Sequence, residues 1–352
     1  MTMLAETVDV VIGVDTHKHT HTAAVLAART TAVLDQATVT ADLAGYEALV
    51  ELAEAHGSRR AWAIEGTGSY GAGLTRLLGE RNEQVIELDR PWRARRRDRA
   101  KSDSIDAVRA ARDALGREHH AQPKTGEGRA ALATLVAARR SAVKAAADAQ
   151  HQLAGLLVTA PEALRQKFRG CSSLEVMARA RHLRTDPRWD LESRTMAGVL
   201  RGLARRAQRL HAEANEHRRA IVQLVRSLHP ELLDVYGVGP IVAAIVLCAW
   251  SHPGRFRSEA AFAKLGGVAP IPASSGMTVR HRLDRSGDRQ LNWALHTVVV
   301  TRLRCDAATR AYAQRRRSEG KTDREIKRCL KRYVARELFR LLEGSPARLD
   351  ST

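Results

Sequence analysis

Cysteine is scarce and scattered. The four present, Cys171, Cys248, Cys305 and Cys329, form no C-x-x-C pair. That disfavours a zinc ribbon or a disulfide framework and points to a reducing, cytoplasmic setting. Aromatic residues make up only 4% of the chain, too few for a carbohydrate binder or a base-stacking sheet. Acids are the minority charge, 39 Asp and Glu against 58 Lys and Arg, for a net +19. No apolar run approaches the roughly 20 residues of a membrane span. Residues 1–11 hold acids without a basic start, so no secretory leader is expected. What remains is 352 residues with an ordinary 44% apolar fraction, room for two or three domains with real cores. A pI near 10.7 makes a polyanion, nucleic acid first, the expected partner.

The apolar, β-branched run at residues 8–15 reads as a buried strand ending on an acid. Alternating Thr and Ala through 21–28 and 31–40 predict two further strands joined by hairpins. Residues 43–56 have helical periodicity, 61–65 form a short strand closed by Gly66-Thr67-Gly68, 70–81 are helical and 84–88 a fifth strand. Three strands followed by helix, strand, helix, strand is the order of an RNase H-like α/β domain. A helix is expected over 103–115 and long helices from about 127 to 228. Within these, residues 191–228 carry apolar residues three and four apart, among them Leu200, Leu203, Leu210, Ile221 and Val225. That spacing fits a coiled-coil-like arm or an intramolecular helical hairpin. Over residues 232–247, two helical stretches joined by Gly237-Val238-Gly239 resemble a helix-hairpin-helix, whose amides hold a DNA phosphate.

Acids at strand ends carry the chemistry. Asp15 ends the first strand and Glu65 the fourth, while Asp103 and Asp106 lie three apart at a helix start and can face one side. An RNase H-like topology would gather these four carboxylates. Such a cluster is costly without a cation, and hard oxygen ligands suit Mg²⁺ or Mn²⁺. Two such ions about 4 Å apart serve phosphodiester cleavage. His17, His19 and His21 alternate and would share one side of an extended segment, either as a transition-metal site or as a polar hairpin face. Basic runs at Arg93–Lys101 (Arg95, Arg96, Arg97 and Lys101 among them) and at 310–340, with twelve Lys or Arg against four acids, are candidate backbone contacts.

The strings G-V-D-T-H-K (13–18), E-G-T-G-S-Y (65–70) and K-S-D-S-I-D-A (101–107) resemble the D-E-D-D transposases of the insertion-sequence 110 and 1111 types. Y-G-V-G-P (236–240), F-A-K-L-G-G-V-A-P-I-P-A-S-S-G (262–276) and S-G-D-R-Q-L-N-W-A-L (286–295) are similar to that family's second domain. The resemblance implies a RuvC-like catalytic domain at 1–120, a helical linker at 121–230 and a mainly helical transposase domain at 231–352. It makes Asp15, Glu65, Asp103 and Asp106 metal ligands and Ser275 the nucleophile, with Lys18 near a phosphate. Ser275, between Ser274 and Gly276, lies in a flexible turn that a phosphate can approach, with Arg280, Arg282 and Arg285 near in sequence to hold it. One departure is Gly287-Asp288, where the family has Gly-Asn, a change expected to alter a phosphate contact.

The resemblance also implies a bacterial, cytoplasmic and nucleoid-associated recombinase acting on double-stranded donor and target DNA. An element-encoded bridge RNA would guide it, and it would work as a dimer or tetramer. A reach of about 57 Å for 38 helical residues at 1.5 Å each would favour active sites composed between protomers. The rival expectations are a RuvC-like junction nuclease and a non-catalytic nucleic-acid-binding relic.

Overall fold

A computed structural model describes residues 3–88, 103–273, 281–282, 284 and 286–344. The chain divides into two units, Met1–Thr125 and Gly126–Thr352.

In the first unit α1 (Leu4–Thr7) leads into β1 (Val10–Thr16), β2 (Thr20–Ala27) and β3 (Val33–Thr40). These are followed by α2 (Leu43–Glu54), β4 (Arg60–Glu65), α3 (Ala72–Glu80), β5 (Gln84–Leu88) and α4 (Asp103–Leu115). The sheet order is β3-β2-β1-β4-β5. The first three strands form an antiparallel meander, β4 runs parallel to β1 and β5 parallel to β4. This mixed α/β sheet is consistent with an RNase H-like domain.

Period-two alternation sorts the strand residues onto two covered faces. Val10, Ile12, Val14, Val25, Trp62 and Ile64 pack with Leu49 and Val50 of α2 and Leu74 and Leu78 of α3. Val11, Ala24, Leu26, Ala61 and Ala63 pack instead with Ala107, Ala110, Ala111 and Ala114 of α4. Burial on both faces is why β1 reads as an unbroken apolar run. The α4 face is built from small residues, and Gly13 is its tightest point. A Cβ there would lie 2.0 Å from the Ala107 carbonyl oxygen and 2.6 Å from the Ala111 nitrogen. The helix therefore rests directly on the strand backbone.

The second unit is helical. It runs α5 (Glu127–Thr159), α6 (Glu162–Phe168), α7 (Ser173–Ala180), α8 (Leu191–Leu228), a 3₁₀ turn (Pro230–Leu233), α9 (Pro240–Trp250) and α10 (Glu259–Leu265). The two-residue strands β6 (Ile271–Pro272) and β7 (His281–Arg282) follow, then α11 (Arg289–Cys305), α12 (Ala307–Ser318) and α13 (Asp323–Leu342). The apolar helix α9, which ends on the buried Trp250, lies in a core with Phe262, Leu295, Val298, Val334 and Leu338.

One open expectation is decided here and one changes. The 38-residue helix α8 packs back along α5, so the arm is an intramolecular hairpin. Gln150 of α5 meets His211 of α8 at 3.0 Å, and a Cβ on Gly128 would lie 2.9 Å from the Leu228 side chain. The chain thus returns to its starting point, and the arm's length separates only its tip. The glycine hairpin differs too, because its first limb is the four-residue 3₁₀ turn and not an α-helix. His229 and Pro230 break α8, and Gly237, at φ 85°, turns the backbone against Val298 and Arg302.

Candidate functional site

Strand register sets up the first cluster. β1 and β4 run side by side with Val14 opposite Ile64, so Asp15 and Glu65 sit at neighbouring strand ends. By alternation both follow the small residues of the α4 face, Asp15 after Val11 and Gly13, Glu65 after Ala61 and Ala63. The Thr16 hydroxyl ties the two ends together by donating to the Glu65 carbonyl at 2.9 Å. Asp103 and Asp106 both occupy the first turn of α4, where the unpaired amides and the helix dipole favour carboxylates.

The ligand atoms of Asp15, His17 and Asp103 lie within 4.8 Å of one another. His17 Nε2 is 3.1 Å from Asp15 Oδ2 and 3.7 Å from Asp103 Oδ1. Asp15 is the most sheltered of the three, its side chain 16% exposed against 51% for Asp103. Glu65 and Asp106 fall outside this tight group. Asp106 accepts from the Arg109 guanidinium at 3.0 Å, one turn along α4. Two carboxylates and an imidazole within one small sphere are a donor set that suits a divalent cation; the oxygens suit Mg²⁺ or Mn²⁺, and the nitrogen tilts the preference toward Mn²⁺.

The three histidines do not share a face. The His17 amide donates to the Thr20 carbonyl across a tight hairpin, which interrupts the strand alternation that would have aligned them. His17 turns to the acids and His19 is exposed. His21 is fully buried and stacks on Tyr46 with ring centroids 5.4 Å apart. Burial holds His21 below the ordinary imidazole value. Its Nε2 has no hydrogen-bond partner among the described residues, and its stacking and full burial make it a core ring.

In the second unit a polar network joins Lys264, Asp284 and Ser286. Lys264 Nζ donates to Asp284 Oδ2 at 2.6 Å. The other oxygen of Asp284 accepts from the Ser286 amide at 2.9 Å and from its hydroxyl at 2.5 Å. Burial opposes the charge of Asp284, yet the Lys264 ammonium and the Ser286 donors hold its carboxyl below the usual range. Gly287, at φ 96°, sits where a Cβ would be 2.3 Å from the Leu265 carbonyl oxygen. Asp288 caps α11, accepting from the amides of Gln290 and Leu291 at 2.8 and 3.1 Å. Asn and Asp cap helices about equally well, so Asp288 fills the cap position of α11 as an Asn would. Asn292 donates to the Gly266 carbonyl at 2.7 Å and receives Lys331 Nζ at 3.1 Å.

Other candidate residues are dispersed. Lys18 and Arg282 are exposed. The Tyr236 carbonyl beside Gly237 accepts from Arg302 Nε at 2.8 Å, and Gly239 is the N-cap of α9. Arg95, Arg96, Arg97, Lys101, Ser274, Ser275, Arg280 and Arg285 lie outside the described residues. Sequence reasoning did not find His17 as a partner of the acids, nor Lys331 as a buried group. Lys331 was visible in principle, since it stands four residues before Ala335 and eight before Phe339 on the apolar stripe of α13.

Among the described residues no helix is long and apolar enough to cross a membrane. The family model of the DEDD transposases of IS110, described as "Transposase", matches residues 12–160, and one described as "Transposase IS116/IS110/IS902 family" matches residues 229–314. The chain is also similar to "Insertion element IS110 uncharacterized 43.6 kDa protein" of Streptomyces coelicolor, 31% identical over 135 residues. That match spans 36% of this chain and about a third, 33%, of the relative's length. Two models of one kind, each on its own half of the chain and in order, together with this relative, make the protein a member of the IS110 family of transposases.

Proposed function

We propose that this protein is a transposase that cuts and rejoins DNA by metal-dependent transesterification through a serine–DNA intermediate. The convergence of Asp15, His17 and Asp103 where β1 meets α4, beside Glu65 and Asp106, carries the proposal. In it, residues 1–120 form the RuvC-like catalytic domain, 121–230 the helical arm and 231–352 the serine-bearing domain. Asp15, Glu65, Asp103 and Asp106 hold Mg²⁺ or Mn²⁺. A divalent ion there supplies positive charge to a phosphodiester under attack.

The chain's own groups do the rest. The His17 imidazole, hydrogen-bonded to Asp15, fixes the orientation of that carboxylate. The Ser275 hydroxyl gives up its proton, an Oγ–P bond forms, and one P–O bond to deoxyribose breaks, releasing a sugar hydroxyl that takes up a proton. Attack by the hydroxyl of another strand reverses these steps and frees the serine. One ester replaces another, so rejoining needs no outside energy source. Arg280, exposed Arg282 and Arg285 hold the phosphate at the serine, and exposed Lys18 meets phosphate near the acids; Arg95, Arg96, Arg97 and Lys101 contact backbone, as does the Gly237–Gly239 turn. The sequence carries no evident recognition helix or zinc finger to read bases, which favours a guide RNA from the element as the reader of sequence. The working form is a homo-oligomer in the bacterial cytoplasm, bound to donor and target DNA.

The test is incubation of purified protein, with and without the RNA that co-purifies with it, with duplex DNA in Mg²⁺ or EDTA, resolved on denaturing gels. A covalent protein–DNA adduct that needs both the cation and the RNA is expected. Equal cleavage in EDTA would remove the metal, and tight sequence-specific binding by RNA-free protein would remove the guide.

A further inference from the structure

Lys331 is buried, only 8% exposed, on the stripe of α13 that includes Leu330 and Val334. Its ammonium donates to the neutral Asn292 side chain. Among the described residues no carboxylate pairs with it. An ammonium taken out of water without an opposite charge is costly, and buried charges are as a rule paired, so an anion bound beside Lys331 would supply the missing partner. Burial, with the nearby Arg328 guanidinium, already pulls Lys331 below the ordinary lysine value.

Beside it opens a cleft of about 520 Å³ lined by His296 of α11 and by Arg324, Glu325, Lys327, Arg328 and Lys331 of α13. The four cations follow the spacing i, i+3, i+4, i+7, so they share one face of the helix over about 10 Å of its axis. The single acid is committed elsewhere. Glu325 accepts from the Thr322 amide at 2.9 Å and its hydroxyl at 2.7 Å, closing the N-terminus of α13, and stands 3.8 Å from Arg328. His296 is held below its ordinary value by burial and by the ammoniums of Lys331 and Lys327, so it offers a hydrogen bond and no charge at neutral pH. A solvated basic face has no need of a buried lysine; a phosphate site does.

We propose that this cleft is an anion site that takes the phosphodiester oxygens of a nucleic-acid backbone, with Lys331 as its floor and Arg324, Lys327 and Arg328 along its wall. It lies apart in sequence from the acids and from Ser275, and contacts to phosphate position a strand without reading its bases. The identity of the ligand rests on the nucleic-acid reading above; the site itself rests on the cleft and the buried charge.

The test compares wild type with Lys331→Met and Lys327→Gln. Short duplex DNA and RNA of equal length are titrated by fluorescence anisotropy across a salt series, and inorganic pyrophosphate is assayed by its thermal stabilisation of the protein. Each variant should flatten the slope of log K against log salt, by about 0.9 on duplex DNA or about 0.7 on a single strand for each phosphate no longer neutralised. Each should also lose most of the pyrophosphate stabilisation. Lys331→Met should keep or raise the melting temperature without ligand, because an apolar chain replaces a buried charge. Should that variant fold poorly, Lys327→Gln, only partly buried, decides the matter. The polymer whose slope changes more is the strand that occupies the cleft. Unchanged slopes and undiminished pyrophosphate stabilisation in the variants would overturn the site. Wild-type protein that binds pyrophosphate but neither polymer would overturn the phosphodiester identity, and with it the nucleic-acid reading.

Discussion

Asp15 and Asp103 meet at one imidazole: His17 Nε2 lies 3.1 Å from the first carboxylate and 3.7 Å from the second. They come from a strand end and a helix start 88 residues apart in sequence, and Gly13 is what lets the two elements touch. In Gly13→Ala the new methyl would lie 2.0 Å from the Ala107 carbonyl oxygen, so α4 must lift from β1. We expect a loss of about 1–3 kcal/mol of stability, typical of overpacking, together with loss of DNA cleavage while nucleic-acid affinity is kept. Thermal denaturation and a cleavage gel check this; wild-type cleavage in Gly13→Ala would separate the helix packing from the chemistry.

The acids themselves are testable without relying on activity. Asp15→Asn and Asp106→Asn should abolish strand cleavage and leave DNA affinity intact or slightly higher, because each removes a negative charge from a site that meets phosphate. Mn²⁺ binding followed by electron paramagnetic resonance should weaken roughly tenfold or more in Asp15→Asn, at least the loss seen when an outer-shell partner is removed. Full cleavage by either variant would take that acid out of the mechanism.

The first unit was legible because both faces of its central strands β1 and β4 are covered, so those strands appear as apolar runs with acids where they end. Alternation even encodes which face each acid serves, since Asp15 follows Gly13 and Glu65 follows Ala63. His17 was not legible, because its direction is set by a tight hairpin between Thr16 and Thr20 and not by strand period. The glycine hairpin misled for a related reason. Gly237 and Gly239 signal a turn equally well after a helix or after a 3₁₀ turn. Lys331 sits among charged neighbours in sequence, and its helical spacing to Ala335 and Phe339 is a weak signal that the packing of α13 on α11 makes plain.

Asp284 predicts a pH signature in the second unit. Its carboxyl is held below 3.8 by Lys264 and Ser286 despite burial. A depressed folded-state value means the stabilisation is complete above the unfolded value and is lost as pH falls through the folded one. Asp284→Asn should therefore lower the melting temperature at neutral pH, and the gap from wild type should narrow only as pH drops below about 4. A gap that stays constant into strong acid would show that Asp284 acts by shape alone.

The run Arg95, Arg96 and Arg97 carries a separate expectation about the nucleic-acid backbone. Replacing all three with Gln should flatten the salt dependence of DNA binding by about 0.9 for each phosphate the run neutralises. An unchanged slope would make the run a solvated face.

Ser275 has its own chemical signature. Ser275→Ala should be inactive and form no covalent adduct, while Ser274→Ala should keep the adduct, since only one hydroxyl is the proposed nucleophile. The hairpin of α5 and α8 brings Leu228 back to Gly128, so arm length gives no reason for the serine to be remote from the acids of its own chain. Whether the site is shared between protomers therefore has to be read from complementation. If two chains each supply one half, mixing inactive Ser275→Ala with inactive Asp15→Asn restores part of the activity, because a heterodimer holds one intact pair. That arrangement would make cutting conditional on assembly, a safeguard for a protein that breaks DNA. No restored activity on mixing would place serine and acids within one chain, and an adduct that persists in Ser275→Ala would remove the nucleophile.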